Sequence, residues 1–109
     1  MPELPEVETV RIALESKLKG RKLVNLKKRR NNLRIPFPRN FEKKLNGRTL
    51  IEVGRRGKYL LCYFSGGKLL LIHLGMSGQI VFSKVSQSTY GPHDHVIFLF
   101  DSLDKVIYR

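Results

Sequence analysis

The sequence predicts an α+β fold that is mostly β, with one N-terminal helix packed on an antiparallel β-sandwich. Apolar residues recur at helical spacing only near the start, where Val7, Val10, Leu14 and Leu18 follow one another at three- and four-residue steps. From Thr49 onward the chain breaks into short runs of β-branched, leucine and aromatic residues, separated by Gly, Ser or Asp. Many short strands with tight turns imply antiparallel sheets packed face to face, with the helix against one flank.

Each element follows from local chemistry. The helix spans residues 5–19, with Pro5 at its first position, Glu6 and Glu8 in its first turn and Gly20 as its stop. Leu23, Val24 and Leu26 then form a strand that runs into the basic turn Lys27-Lys28-Arg29-Arg30, which is either a solvated face or a phosphate contact. Leu33, Ile35 and Phe37 suit a short edge strand that Pro36 and Pro38 keep from further pairing. Phe41 to Leu45 makes a single helical turn, and Asn46-Gly47 a chain reversal. The expected strands are 49–53, 59–64, 68–74, 79–82, 96–100 and 105–108. Ser65-Gly66-Gly67 closes a hairpin between two of them, and Asp101 to Asp104 another.

Length and charge bound the function. With 109 residues and no repeat or linker, the chain reads as one domain covering residues 1–109. A net charge of +12 favours a polyanionic partner: DNA, RNA or an anionic membrane surface. No apolar run reaches spanning length, and the amino end is acidic where a secretory signal would be basic, so the expected location is the cytoplasm. Cys62, the single cysteine, can form neither an intrachain disulfide nor a cysteine-based zinc site, and reads as a small buried hydrophobe.

The first nine residues, Met1-Pro2-Glu3-Leu4-Pro5-Glu6-Val7-Glu8-Thr9, carry the sharpest chemical signal. An ordinary helix start accounts for Pro5, Glu6 and Glu8. The other reading begins with removal of Met1, which a small residue such as Pro2 permits. Pro2 then becomes a secondary amine with no side-chain entropy to lose, beside the carboxyls of Glu3 and Glu6. That is the outline of a covalent amine catalyst.

This nonapeptide resembles the start of the formamidopyrimidine-DNA glycosylases, bacterial enzymes that excise oxidised purines. Gly57-Lys58-Tyr59-Leu60-Leu61, His73-Leu74-Gly75-Met76-Ser77-Gly78 and His93-Asp94-His95-Val96 are similar to later landmarks of the same family, in the same order. The related endonuclease VIII group is less similar, because it usually has Gly where this chain has Leu4. The resemblance covers the N-terminal catalytic domain. In the family that domain is followed by a loop that helps fill the duplex gap, a helix-two-turn-helix module and a four-cysteine zinc finger, none of which these residues contain. It also implies a chain that holds no cofactor and acts as a monomer on double-stranded DNA containing oxidised purines (8-oxoguanine, formamidopyrimidines) or abasic sites.

The resemblance further implies a mechanism. Pro2 attacks C1′ of the damaged nucleoside while Glu3, as general acid, protonates the sugar ring oxygen; the base leaves and a cationic iminium remains. That electron sink acidifies the 2′ proton, so the 3′ phosphate and then the 5′ phosphate are eliminated. Glu6 orients Pro2 or a water. Lys58 reaches the phosphate beside the lesion and assists β-elimination, the alternative being a strand-entry lysine in water. His73 contacts phosphate or is a satisfied core residue, and Met76 is either an apolar wedge in the space left by the flipped base or tucked into the sandwich. His93 resembles a contact near the DNA backbone; two imidazoles and one carboxylate without thiolate are weak evidence for a metal there. A second reading from another class stays open, namely a basic DNA-binding domain that keeps the fold but does not turn over.

Overall fold

The computed structural model describes residues 4–28, 41–74, 79–84 and 96–108. Helix α1 runs over Leu4–Leu18, one residue offset at each end from expectation. Its Val7, Leu14 and Leu18 are buried and Val10 packs against the same core, as the apolar spacing requires. Gly20 adopts a positive φ of 83°, which lets the chain leave the helix and pair its N–H with the Leu50 carbonyl at 2.8 Å.

Among the described residues seven strands follow: β1 Leu23–Lys28, β2 Leu50–Arg56, β3 Tyr59–Phe64, β4 Lys68–His73, β5 Ile80–Lys84, β6 Val96–Phe100 and β7 Asp104–Tyr108. The short helix α2, Phe41–Leu45, seats the buried Leu45 between β1 and β2 in the chain. The proposed edge strand around Leu33, Ile35 and Phe37 lies outside the described residues. These strands pair antiparallel, in a four-stranded sheet ordered β1-β6-β7-β5 and a three-stranded sheet ordered β2-β3-β4. One continuous core joins α1 to both sheets, so the sandwich with a flanking helix holds. Among the described residues, no helix is long and apolar enough to cross a membrane.

One boundary departs from expectation with consequences for function. The sequence suggests a bend allowed by both glycines of Gly54-Arg55-Arg56-Gly57, yet β2 continues through Gly54 to Arg56, which pairs with Tyr59. The reversal is confined to Gly57 and Lys58, with Gly57 at φ 60°. Gly54 keeps ordinary strand geometry because its neighbours still pair; a Cβ there would lie 3.5 Å from the Tyr63 ring.

The free edge of β2 is covered rather than left open. Arg11 Nη1 donates to the Val53 carbonyl at 3.1 Å, and Glu15 Oε2 accepts from the Val53 N–H at 2.9 Å. Two side chains one helical turn apart thereby satisfy both backbone groups of one edge residue. Lower down, Leu50 N–H donates to Arg21 O at 2.9 Å and Lys22 bridges to Thr49. Together these bonds fix how α1 lies along β2.

Candidate active site

Strand register gathers one end of the molecule. Across the three-stranded sheet, Arg56 pairs with Tyr59 and Tyr59 with His73, so the Gly57-Lys58 turn and the end of β4 lie side by side. In the other sheet Tyr108 pairs with both Ile80 and Val96, and its hydroxyl lies 3.4 Å from the His73 carbonyl, a long contact that links the two sheets at this end. The landmark segments around His73, Lys58 and Val96 thus meet although up to 38 positions separate them in sequence.

The site residues expected from the sequence divide into two groups. Pro2, Glu3, Met76 and His93 lie outside the described residues. Of the others, Glu6 sits exposed in the first turn of α1. Lys58 is half-buried in the turn before β3. His73 ends β4 as expected but is exposed rather than a core residue, and its ring stacks against Tyr59 with centroids 4.6 Å apart and a tilt of 33°.

A charged group that sequence reasoning missed ties these parts together. Glu8 Oε1 accepts from Arg11 Nε at 2.9 Å and from Arg55 Nε at 3.0 Å, while Glu8 Oε2 accepts from Arg11 Nη2 at 2.8 Å. Hydrogen bonds from these two guanidiniums, Arg11 first, hold the Glu8 carboxyl down at about 2. Glu8 is therefore a fixed anion with both oxygens engaged, and cannot act as a proton donor near neutral pH. Arg55 uses a second nitrogen, Nη1, to donate to the Gly57 carbonyl at 3.0 Å. The local half of this group was legible: Glu8, Arg11 and Glu15 stand at spacings of three and four on one helix face. The half that crosses to Arg55 spans 47 residues and has no local signature.

Elsewhere among the described residues the chemistry is quiet. Cys62 is buried, and burial pushes its thiol up to about 12, so it stays protonated and inert. Asp104 is lowered by hydrogen bonds from Lys84 and Ser102, a local tie within the four-stranded sheet. Among the described residues, no three His, Cys, Asp or Glu side chains come together as a metal site.

Comparison with known proteins places this arrangement. The profile of the formamidopyrimidine-DNA glycosylase N-terminal domain matches residues 1–109. The formamidopyrimidine-DNA glycosylase of Bartonella quintana is 44% identical over 116 residues, which cover 100% of this chain and 40% of that protein. Among solved structures, the Lactococcus lactis enzyme non-covalently bound to DNA containing an AP site superposes with a TM-score of 0.87 at 32% identity, covering 98% of this chain and 40% of that one. The same enzyme with DNA containing Fapy-dG gives 0.86 at 33%, covering 97% and 39%. The chain thus spans about two fifths of the length of these relatives. On the whole-chain profile match and the shared fold, the chain belongs to the formamidopyrimidine-DNA glycosylase family and corresponds throughout to its N-terminal domain.

Proposed function

We propose that this chain is the catalytic domain of a cytoplasmic base-excision DNA repair enzyme that removes oxidised purines and then cuts the strand at the abasic site. The observation that carries the reading is the convergence, at one end of the fold, of the first turns of α1, the Gly57-Lys58 turn and His73, in a family member with a net charge of +12. The Lactococcus lactis complexes, one with AP-site DNA and one with Fapy-dG DNA, support the same substrate class.

In this reading Pro2, freed of Met1, attacks C1′; the glycosidic bond breaks and the base leaves while Glu3 protonates the ring oxygen. The C1′–nitrogen bond becomes an iminium. Loss of the 2′ proton expels the 3′ phosphate, a second elimination expels the 5′ phosphate, and water releases the sugar fragment from the amine. Glu6, exposed at the head of the helix, orients the amine or the water, and Lys58 and His73 hold phosphates. Met76 and His93 complete the DNA contact, Met76 as the wedge. The residues of this chain do not fit the family's four-cysteine zinc finger, since Cys62 is the single cysteine and is enclosed by apolar side chains.

The test is borohydride trapping. Mixed with an oligonucleotide carrying an abasic site or 8-oxoguanine, the chain should give a covalent adduct that mass spectrometry maps to Pro2. Blocking removal of Met1 should abolish the adduct and spare binding. If sugar is trapped on a lysine instead, the mechanism is wrong; if nothing is trapped from Met-free protein, the chain is a DNA-binding domain without turnover. A salt titration addresses binding separately, with log affinity falling roughly linearly against log salt by about 0.9 per neutralised phosphate. A flat response would remove DNA as the partner.

A further inference from the structure

Lys58 is placed by a turn, and a two-residue turn at the end of a strand does not by itself hold a side chain to within an ångström. What surrounds the turn does. Arg55 lies on the face of β2 that meets α1, because strand alternation puts it with the buried Val53. Its guanidinium is a rigid planar fork, and here the fork spans two elements: Nε on the Glu8 carboxylate of α1 at 3.0 Å, and Nη1 on the carbonyl of Gly57, the residue before Lys58, at 3.0 Å. Arg11 closes the figure from the other side, gripping both oxygens of Glu8 and reaching the Val53 carbonyl at 3.1 Å. Helix, strand and turn are thereby triangulated through one carboxylate.

We propose that Glu8 and Arg55 act as positioning residues that hold the Gly57-Lys58 turn at a fixed offset from the leading turn of α1, so that the amine at the chain start and the ammonium of Lys58 address the same sugar and its 3′ phosphate. The inference rests on the reading of Pro2 and Lys58 given above. It makes a division of labour among the three glutamates at the start of the chain: Glu3 and Glu6 for proton transfer and orientation at the sugar, Glu8 as an anchor held by two guanidiniums. It also separates two neighbouring arginines. Both are exposed, but Arg55 belongs to the frame through its bonds to Glu8 and to the Gly57 carbonyl, and Arg56 makes neither of these bonds.

The clamp has a kinetic signature. Attack by Pro2 to form the iminium does not need Lys58, whereas elimination does, so loosening the turn should slow the second step selectively. In Arg55→Ala and in Arg55→Lys, which keeps the charge but cannot meet both acceptors, the rate of borohydride trapping on abasic-site DNA should stay near the parent. Strand cleavage without borohydride should fall about tenfold or more, the scale expected when a reacting group is misplaced by about an ångström. Arg56→Ala, which removes the same charge one residue away, should keep the parent ratio of cleavage to trapping. Amide hydrogen exchange across residues 57–60 should quicken in both Arg55 variants, with thermal melting followed in parallel to confirm that each variant is folded.

If the parent traps and cleaves while the Arg55 variants lose both activities in equal proportion, or lose neither, the clamp is overturned and the Pro2 reading stands. If the parent traps nothing on Pro2, the reading falls, and the exchange measurement alone judges the clamp: faster exchange at the turn supports it, unchanged exchange overturns it.

Discussion

Strands β6 and β7 of the four-stranded sheet are buried along almost their whole length, whereas β3 and β4 of the three-stranded sheet are covered on one face and open on the other. Val96, Ile97, Phe98 and Phe100 are all buried, as are Val106 and Ile107. On β3 and β4 the inward Leu60, Cys62 and Phe64 are buried, while Tyr59, Tyr63, Leu69 and Leu71 share the exposed face by register. Two kinds of force thus divide the physical tasks. Apolar burial on the facing sides of both sheets makes the fold exist; at the edge of the three-stranded sheet, hydrogen bonds and ion pairs to α1 decide where its rim and its Lys58 turn sit. Burial is non-directional and scales with area, so it cannot set that offset. Guanidinium–carboxylate pairs are directional, and can.

Truncations test that division most severely. Phe98→Ala, at a residue 6% exposed and paired on both sides, should cost about 3–5 kcal/mol, and Leu60→Ala, at 0%, about 2–5 kcal/mol. Against a total stability of about 5–15 kcal/mol either change threatens the fold, so urea melts should show a large drop in midpoint with little change in slope. Leu71→Ala, on the neighbouring strand but at 56% exposure, should stay within about 0.5 kcal/mol. A cost at Leu71 comparable to that at Leu60 would break the comparison, because it would mean that the outer face is covered in solution.

How far the sequence could have said this varies by element. The spacing of Val7, Val10, Leu14 and Leu18 marked α1, and Tyr59–Phe64 and Val96–Phe100 matched their apolar runs end to end. The faces of those strands were not legible, since six apolar residues in β3 show no alternation even though their burial alternates. The far end of β2 was not legible because Gly54 looks like a stop, whereas cross-strand pairing overrides that local preference. Lys105 was invisible as a buried residue, because a lone lysine in a strand ordinarily faces water, yet it is 3% exposed between Ser83 and Leu99. Of the candidate site, Lys58 and His73 came from motif resemblance, and register then brought them together. The Glu8–Arg55 bond came from neither, as it exists only once α1 lies along β2.

The smallest effect probes the directional side of the comparison. Glu8 is held at about 2 against an ordinary value of 4.5, chiefly by Arg11 and then by Arg55. Between those two pH values the unfolded chain binds a proton at this position and the folded chain does not, so stability rises with pH across that window. The contribution is complete above about pH 4.5 and is lost as pH falls through about 2. A carbon-detected NMR titration should place the Glu8 midpoint near 2, with Arg11→Ala moving it upward further than Arg55→Ala. The stability gap between the parent and Arg11→Ala should narrow on acidification from pH 6 to pH 2, leaving the part that comes from the bond of Arg11 to the Val53 carbonyl, which does not titrate. Because the Glu8 side chain remains 36% exposed, added salt should shrink the gap at every pH. A midpoint near 4.5 in the parent would mean that the arginines do not grip this carboxylate in solution, and the offset between α1 and the Lys58 turn would then have to be set by packing alone.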